Sequence, residues 1–140
     1  RVALFNGADG EWEAEVVVMN RKRCELAVRR QLRPQPPPAP APTLLFAVLK
    51  GARLPTLIEK AVELGAGELM PVVTKHCHAR EVNEARLQSI ATEAAEQCGR
   101  LDVPPIRAVR TLPQALAAWD SARPLFACDT RGGAEPLWRA

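Results

Sequence analysis

The sequence predicts an α/β protein, a doubly wound open sheet preceded by a short antiparallel β meander. Three observations carry that expectation. Residues 11–16 alternate polar and apolar side chains, the period of a half-buried strand. A proline-rich stretch, Arg33-Pro34-Gln35-Pro36-Pro37-Pro38-Ala39-Pro40-Ala41-Pro42, then interrupts all regular structure. From residue 44 onward, continuous apolar runs alternate with apolar residues at helical spacing, the signature of βαβ units.

The first part, residues 1–33, reads as Val2-Ala3-Leu4-Phe5, a turn at Asn6-Gly7-Ala8-Asp9-Gly10, a strand from Glu11 to Val18, a basic turn at Asn20-Arg21-Lys22-Arg23 and a third strand from Cys24 to Leu32. The alternation puts Glu11, Glu13 and Glu15 on one face. Three strands with so few apolar residues make a marginal unit, so the meander is expected to be the end of a larger small barrel. Residues 34–43 are expected to form a semi-rigid polyproline II linker rather than a peptide ligand for a signalling domain.

In residues 44–140, Leu44-Leu45-Phe46-Ala47-Val48-Leu49 fits a strand buried on both faces of a parallel sheet. Leu54, Leu57, Ile58, Ala61 and Val62 mark a helix stopped by Gly65 and Gly67. A second strand at residues 69–73 and a second helix at residues 84–97 follow, with Leu87, Ile90, Ala91, Ala94 and Cys98 on its inward stripe. Residues 105–109 predict a strand, residues 112–119 a helix and residues 124–128 a further strand. The expected strand ends carry Lys50-Gly51-Ala52-Arg53, Thr74-Lys75-His76-Cys77 and Asp129-Thr130-Arg131-Gly132-Gly133, where an open α/β sheet binds its ligand. Arg1 opens directly into strand-like sequence, and the chain stops at Trp138-Arg139-Ala140 where another helix would begin. Both ends are expected to be cut from a longer protein.

Composition narrows the function. With 47% apolar and 25% charged residues the chain should fold rather than form a disordered tail. Net charge is only +3, but Arg21-Lys22-Arg23, Arg29-Arg30 and Arg33 concentrate positive charge early and suit a polyanionic partner. Solvated strand edges use the same residues. With no Tyr, three Trp and three Phe, platforms for stacking single-stranded bases are scarce. Cys24, Cys77, Cys98 and Cys128 form no CxxC pair and read as reduced thiols of a cytoplasmic protein. The longest apolar run, residues 44–49, is too short to span a bilayer. No GxGxxG and no GxxxxGK[ST] occur, which disfavours nicotinamide and nucleoside-triphosphate enzymes. His76-Cys77-His78 lacks the second ligand pair of a zinc site, so no metal is expected. Nor does it show the base orienter of a Cys/His catalytic pair.

The end of the second helix is more informative, with Glu93, Glu96 and Gln97 polar and Arg100 expected to project from its terminus. Lys50 and Lys60 flank Glu59 and Glu63 in the same manner. The ordered set of Lys50 to Lys60, Ala61-Val62-Glu63-Leu64-Gly65, Pro71, Glu93-Ala94-Ala95-Glu96-Gln97-Cys98-Gly99-Arg100 and Pro104-Pro105 resembles the RsmE family. Its members are SPOUT-class (trefoil-knot) methyltransferases of small-subunit ribosomal RNA. Phe5-Asn6-Gly7 and the basic meander look like the end of that family's N-terminal PUA-like barrel, so the resemblance covers essentially the whole chain.

The resemblance implies methyl transfer from S-adenosylmethionine to N3 of a uridine in 16S rRNA, by a homodimer without membrane attachment. It implies that Arg21, Lys22, Arg23, Lys50, Arg53, Lys60 and Arg100 face RNA, and that Cys128, Asp129 and Thr130 border the cofactor; it names no catalytic base. This chain has Lys75-His76-Cys77 where the family commonly has a Glu-Arg pair, and the family's Gly-Pro-Glu-Gly-Gly loop does not occur in these 140 residues. The 140 residues alone are therefore expected to be inactive and to bind S-adenosylmethionine weakly at most. The rivals are a non-catalytic RNA-binding or ribosome-associated module and a flavodoxin-like small-molecule binder.

Overall fold

The computed structural model describes residues 1–77 and 82–128 and contains two three-stranded sheets. The first is the meander β1 (Val2–Phe5), β2 (Glu11–Met19) and β3 (Cys24–Arg33), antiparallel throughout. Its register places Glu11 opposite Arg33 and Glu13 opposite Arg30, while Glu15, opposite Ala27, is reached by the side chain of Arg29. The pairing slips between Glu13↔Arg30 and Ala14↔Val28, and this bulge lets the consecutive Arg29 and Arg30 reach the same acidic face. Arg33 Nε lies 2.7 Å from Glu11, Arg30 Nε 3.1 Å from Glu13 and Arg29 Nη2 2.9 Å from Glu15.

The second sheet holds β4 (Thr43–Ala47), β5 (Glu68–Val73) and β6 (Arg110–Thr111) in that order, all parallel. Helix α1 (Arg53–Glu63) joins β4 to β5, and α2 (Glu84–Cys98) precedes β6. The two helices pack together on one face, where Ile58, Val62 and Leu69 are fully buried with Phe46, Leu87, Ala91 and Ala95. Asn83 caps α2 by accepting from the Arg86 N–H at 3.0 Å, and Gly99 ends it in the left-handed conformation. The inward stripe of α2 turns at Ala94 and Ala95, which leaves Cys98 exposed rather than packed as its spacing suggested. The four cysteines are free thiols.

Glu68, Met70 and Val72 alternate onto the opposite face of the sheet. Helix α3 (Leu112–Ala117) lies there, started by a capping box between Thr111 and Gln114. Helices thus flank both faces, as a doubly wound sheet requires, although no reversal of strand order is seen among the described residues. After α3 the chain turns back, and Arg123 Nη2 donates to Thr43 Oγ1 at 2.9 Å, which brings residue 123 beside the start of β4.

Two expected strands change. Residues 105–109 make only the bridge Ile106↔Leu69 before β6, because Pro104 and Pro105 supply no amide donors. Residues 124–128 form no strand, since they begin with a proline and pair with no neighbour among the described residues; Leu125 and Phe126 stay exposed.

The linker is tied at both ends. Gly10 N–H donates to Gln35 Oε1 at 3.2 Å, and Gly67 N–H donates to the Pro42 carbonyl at 2.9 Å. At Gly10, where φ is +82°, a Cβ would strike the backbone of residues 33–35. Phe5 packs against the core formed by α1 and α2, and Arg33 donates to the Gly99 carbonyl at 3.2 Å. The meander is therefore docked on the α/β part.

Candidate nucleic-acid interface

The tip of the β2–β3 hairpin is shaped by Asn20. Its Oδ1 accepts from the Lys22 and Arg23 N–H groups, both at 3.0 Å, while its own N–H donates to the Arg23 carbonyl at 2.9 Å. This holds Arg21 and Lys22 outward on a fully exposed turn. Arg23 folds back to pair with Glu25. The other meander arginines answer carboxylates, and the Arg30 hydrogen bond holds the Glu13 carboxyl below the ordinary value of 4.5. The run Arg29-Arg30 with Arg33 that enriched the sequence in positive charge is thus largely neutralised, and the unanswered charge sits at the tip.

Lys50 and Arg53 come together on a second basic turn, at the carboxyl end of β4, around Gly51 with φ +67°. Lys60, on the exposed face of α1, is held by Glu59 and Glu63 at 2.9 Å each. Hydrogen bonds to Glu63 and Glu59 raise its pKa.

Arg100 does not project from α2. Its Nη1 donates to the carbonyls of Val62 at 2.8 Å and Ala66 at 2.9 Å, and its Nη2 lies 2.6 Å from Asp102. The guanidinium is committed to protein oxygens at and just past the end of α1, where it adds a charged donor to the 3.0 Å bond that Gly65 N–H already gives the Val62 carbonyl. Sequence reading missed this clamp because its partners lie more than 30 residues away.

The loop after β5 is organised by Cys77, whose sulfur accepts from Thr74 N–H at 3.4 Å and lies 3.3 Å from Thr74 Oγ1. The Thr74 side-chain contact is the main cause that lowers the Cys77 pKa. His78 lies outside the described residues, and among the described residues no three His, Cys, Asp or Glu side chains gather as a metal-binding group.

Of the expected cofactor-bordering residues, Asp129 and Thr130 lie outside the described residues and Cys128 is exposed. At the carboxyl edge of β5 and β6, a cleft of about 490 Å³ is lined by Val73, Glu84, Arg110, Thr111 and Gln114. Thr111 and Gln114 already spend their polar groups capping each other. The described residues do not by themselves fit S-adenosylmethionine.

A family model described as an RNA methyltransferase domain matches residues 36–138. The chain belongs to this family. Ribosomal RNA small subunit methyltransferase E of Rickettsia conorii is 34% identical to this RNA methyltransferase domain over 109 residues, 78% of the chain and 44% of the relative. The solved structure of Ribosomal RNA small subunit methyltransferase E from Neisseria gonorrhoeae, bound to S-adenosyl methionine, superposes with a TM-score of 0.72 at 29% identity. The match covers 86% of this chain and 52% of that one. A Legionella pneumophila structure with bound SAM gives 0.74 at 25% identity, covering 84% and 51%. The domain thus spans about half the length of these relatives, and the resemblance read from the second helix and its flanking motifs is upheld. No described helix is long and apolar enough to cross a membrane.

Two carboxylates tie the acid stability of this domain to its arginines. Burial alone would raise the Glu68 pKa, but hydrogen bonds from Arg107 and Thr43 outweigh it and hold the group below 4.5. The Arg100 hydrogen bond holds Asp102 below 3.8. A depressed folded-state pKa gives stability that is present above the unfolded value and lost as pH falls through the folded one. The melting temperature is therefore expected to decline below pH 4.5, and the Glu68→Gln, Asp102→Asn double variant to show a shallower decline. An acid slope identical to that of the parent protein would remove these groups from the account.

Proposed function

We propose that the protein containing this domain transfers a methyl group from S-adenosylmethionine to N3 of a uridine in 16S rRNA, in the cytoplasm and as a homodimer. Residues 1–33 would be part of a PUA-like RNA-binding barrel, residues 34–43 its linker and residues 44–140 the first part of a SPOUT α/β domain. The observation that carries the reading is the family match across residues 36–138, and the exposed basic hairpin tip beside it suits a phosphate backbone.

The chain's own part is to hold RNA. Arg21 and Lys22 offer charge without base readout, and Lys50 and Arg53 offer a second basic turn at the sheet edge. Arg23 and Lys60 would join only by exchanging a carboxylate for a phosphate, whereas Arg100 acts on the RNA surface indirectly, by fixing the end of α1.

The reaction is tested with the full-length protein, small-subunit RNA and labelled S-adenosylmethionine, with the product nucleoside identified by mass spectrometry. RNA retention without methyl incorporation would leave a non-catalytic binding module. The interface is tested by Arg21→Glu with Lys22→Glu, which is expected to weaken RNA binding about tenfold and to reduce the salt slope by about 1.4 to 1.8. An unchanged slope would take the hairpin out of the interface.

A further inference from the structure

On the sheet face that carries α3, a cleft of about 500 Å³ opens between the start of β5, the approach to β6 and the turn after α3. Its walls include Glu68, Arg107, Arg110, Trp119, Asp120 and Arg123. Trp119 is half-buried, and its Nε1 donates to the Arg123 carbonyl at 3.1 Å. The Arg123 guanidinium lies 4.8 Å from the centre of the Trp119 ring while its Nη2 donates to Thr43. Thr43 Oγ1 donates in turn to Glu68 at 2.9 Å, and Glu68 receives Arg107 from its other side. Two guanidinium groups are thereby held around one carboxylate, with Arg110 on the same wall. Among the described residues, no carboxylate lies within ion-pair distance of Arg110 or Arg123. Asp120 turns its Oδ1 to the Ala122 N–H at 2.9 Å.

Aromatic residues are few in this chain, and this one is fixed against an arginine inside a concave, cation-lined surface. Arginine forks match phosphate oxygens, and indole or guanidinium planes accept a stacked base of any identity.

We infer that this cleft binds a nucleotide of single-stranded RNA, with the base stacked on the Trp119–Arg123 pair and its phosphate between Arg110 and Arg123. The inference rests on the RNA reading above and adds a contact remote from both the hairpin tip and the Lys50–Arg53 turn. Glu68 is the opposing charge, holding Arg107 away from the ligand and repelling phosphate.

The test is fluorescence anisotropy of a labelled single-stranded oligoribonucleotide titrated with the full chain across a range of salt. Arg110→Gln with Arg123→Gln is expected to weaken binding about tenfold and to reduce the salt slope by about 1.4. Trp119→Ala should weaken it about tenfold and leave the slope unchanged, because stacking releases no counterions. Glu68→Gln should tighten binding several-fold, a gain that mere damage to the fold would not produce. If the arginine variant unfolds, the direction of the Glu68→Gln change decides. Cleft variants that all bind like the parent, while the Arg21/Lys22 variant loses affinity, would overturn the cleft and leave the RNA reading intact. No RNA affinity in the parent chain would overturn both. Competition by inorganic phosphate as strong as by a mononucleotide would reduce the cleft to an anion site and overturn the stacking part.

Discussion

Ile58→Ala is expected to destabilise the chain by about 3 to 4 kcal/mol, because it removes a fully buried side chain between α1 and the sheet and leaves a cavity that rigid neighbours cannot close. Chemical denaturation should show the midpoint falling with an unchanged m-value. Leu64→Ala, two residues from the buried Val62 but 85% exposed, is the contrast and should change stability by less than about 0.5 kcal/mol. A loss below about 1 kcal/mol at Ile58 would mean that α1 does not pack as described.

Arg100→Ala should cost about 2 to 3 kcal/mol. The substitution strips two carbonyls at the end of α1 of a charged donor, and charged hydrogen bonds of this kind contribute about 1.5 to 3 kcal/mol each before solvent replaces part of them. Arg100→Lys should recover only a minor part, since an ammonium cannot span Val62, Ala66 and Asp102 as the planar fork does. Full recovery by lysine in a thermal melt would show that charge alone matters there. Asp102→Asn should be milder, because that side chain is 54% exposed.

What could be read in the sequence was what depends on neighbours along the chain. The apolar run at residues 44–49, the helical spacing at Leu54 to Val62 and the turn at Asn20 each declare themselves within a few residues, and β4, α1 and the hairpin appear where those signals fall. What stayed hidden depends on register and distance. The bulge that sends Arg29 and Arg30 to the same acidic face is a property of two strands together, so a basic run became a neutralised ladder. Arg100 reads as a free helix-end cation until α1 is placed beside it. The cleft around Trp119 needs the chain after α3 to return to Thr43, a contact spanning 80 residues. Residues 124–128 show the converse, in that strand-like composition makes no strand without a partner to pair with.

The pinned linker changes how the two sheets answer to each other. A three-stranded sheet that buries as few apolar side chains as this one is marginal alone, and it lends Phe5 to the α1–α2 core while Gly10 and Gly67 hold the prolines between them. Opening of the α/β half takes away the surface on which Phe5 rests, and fraying of the meander uncovers part of that core. Opening of one sheet is thus coupled to opening of the other through Phe5, Arg33 and the two linker ties, a coupling of the kind native-state exchange reads. The basic tip keeps its bearing relative to the sheet edge only for as long as those contacts stay closed.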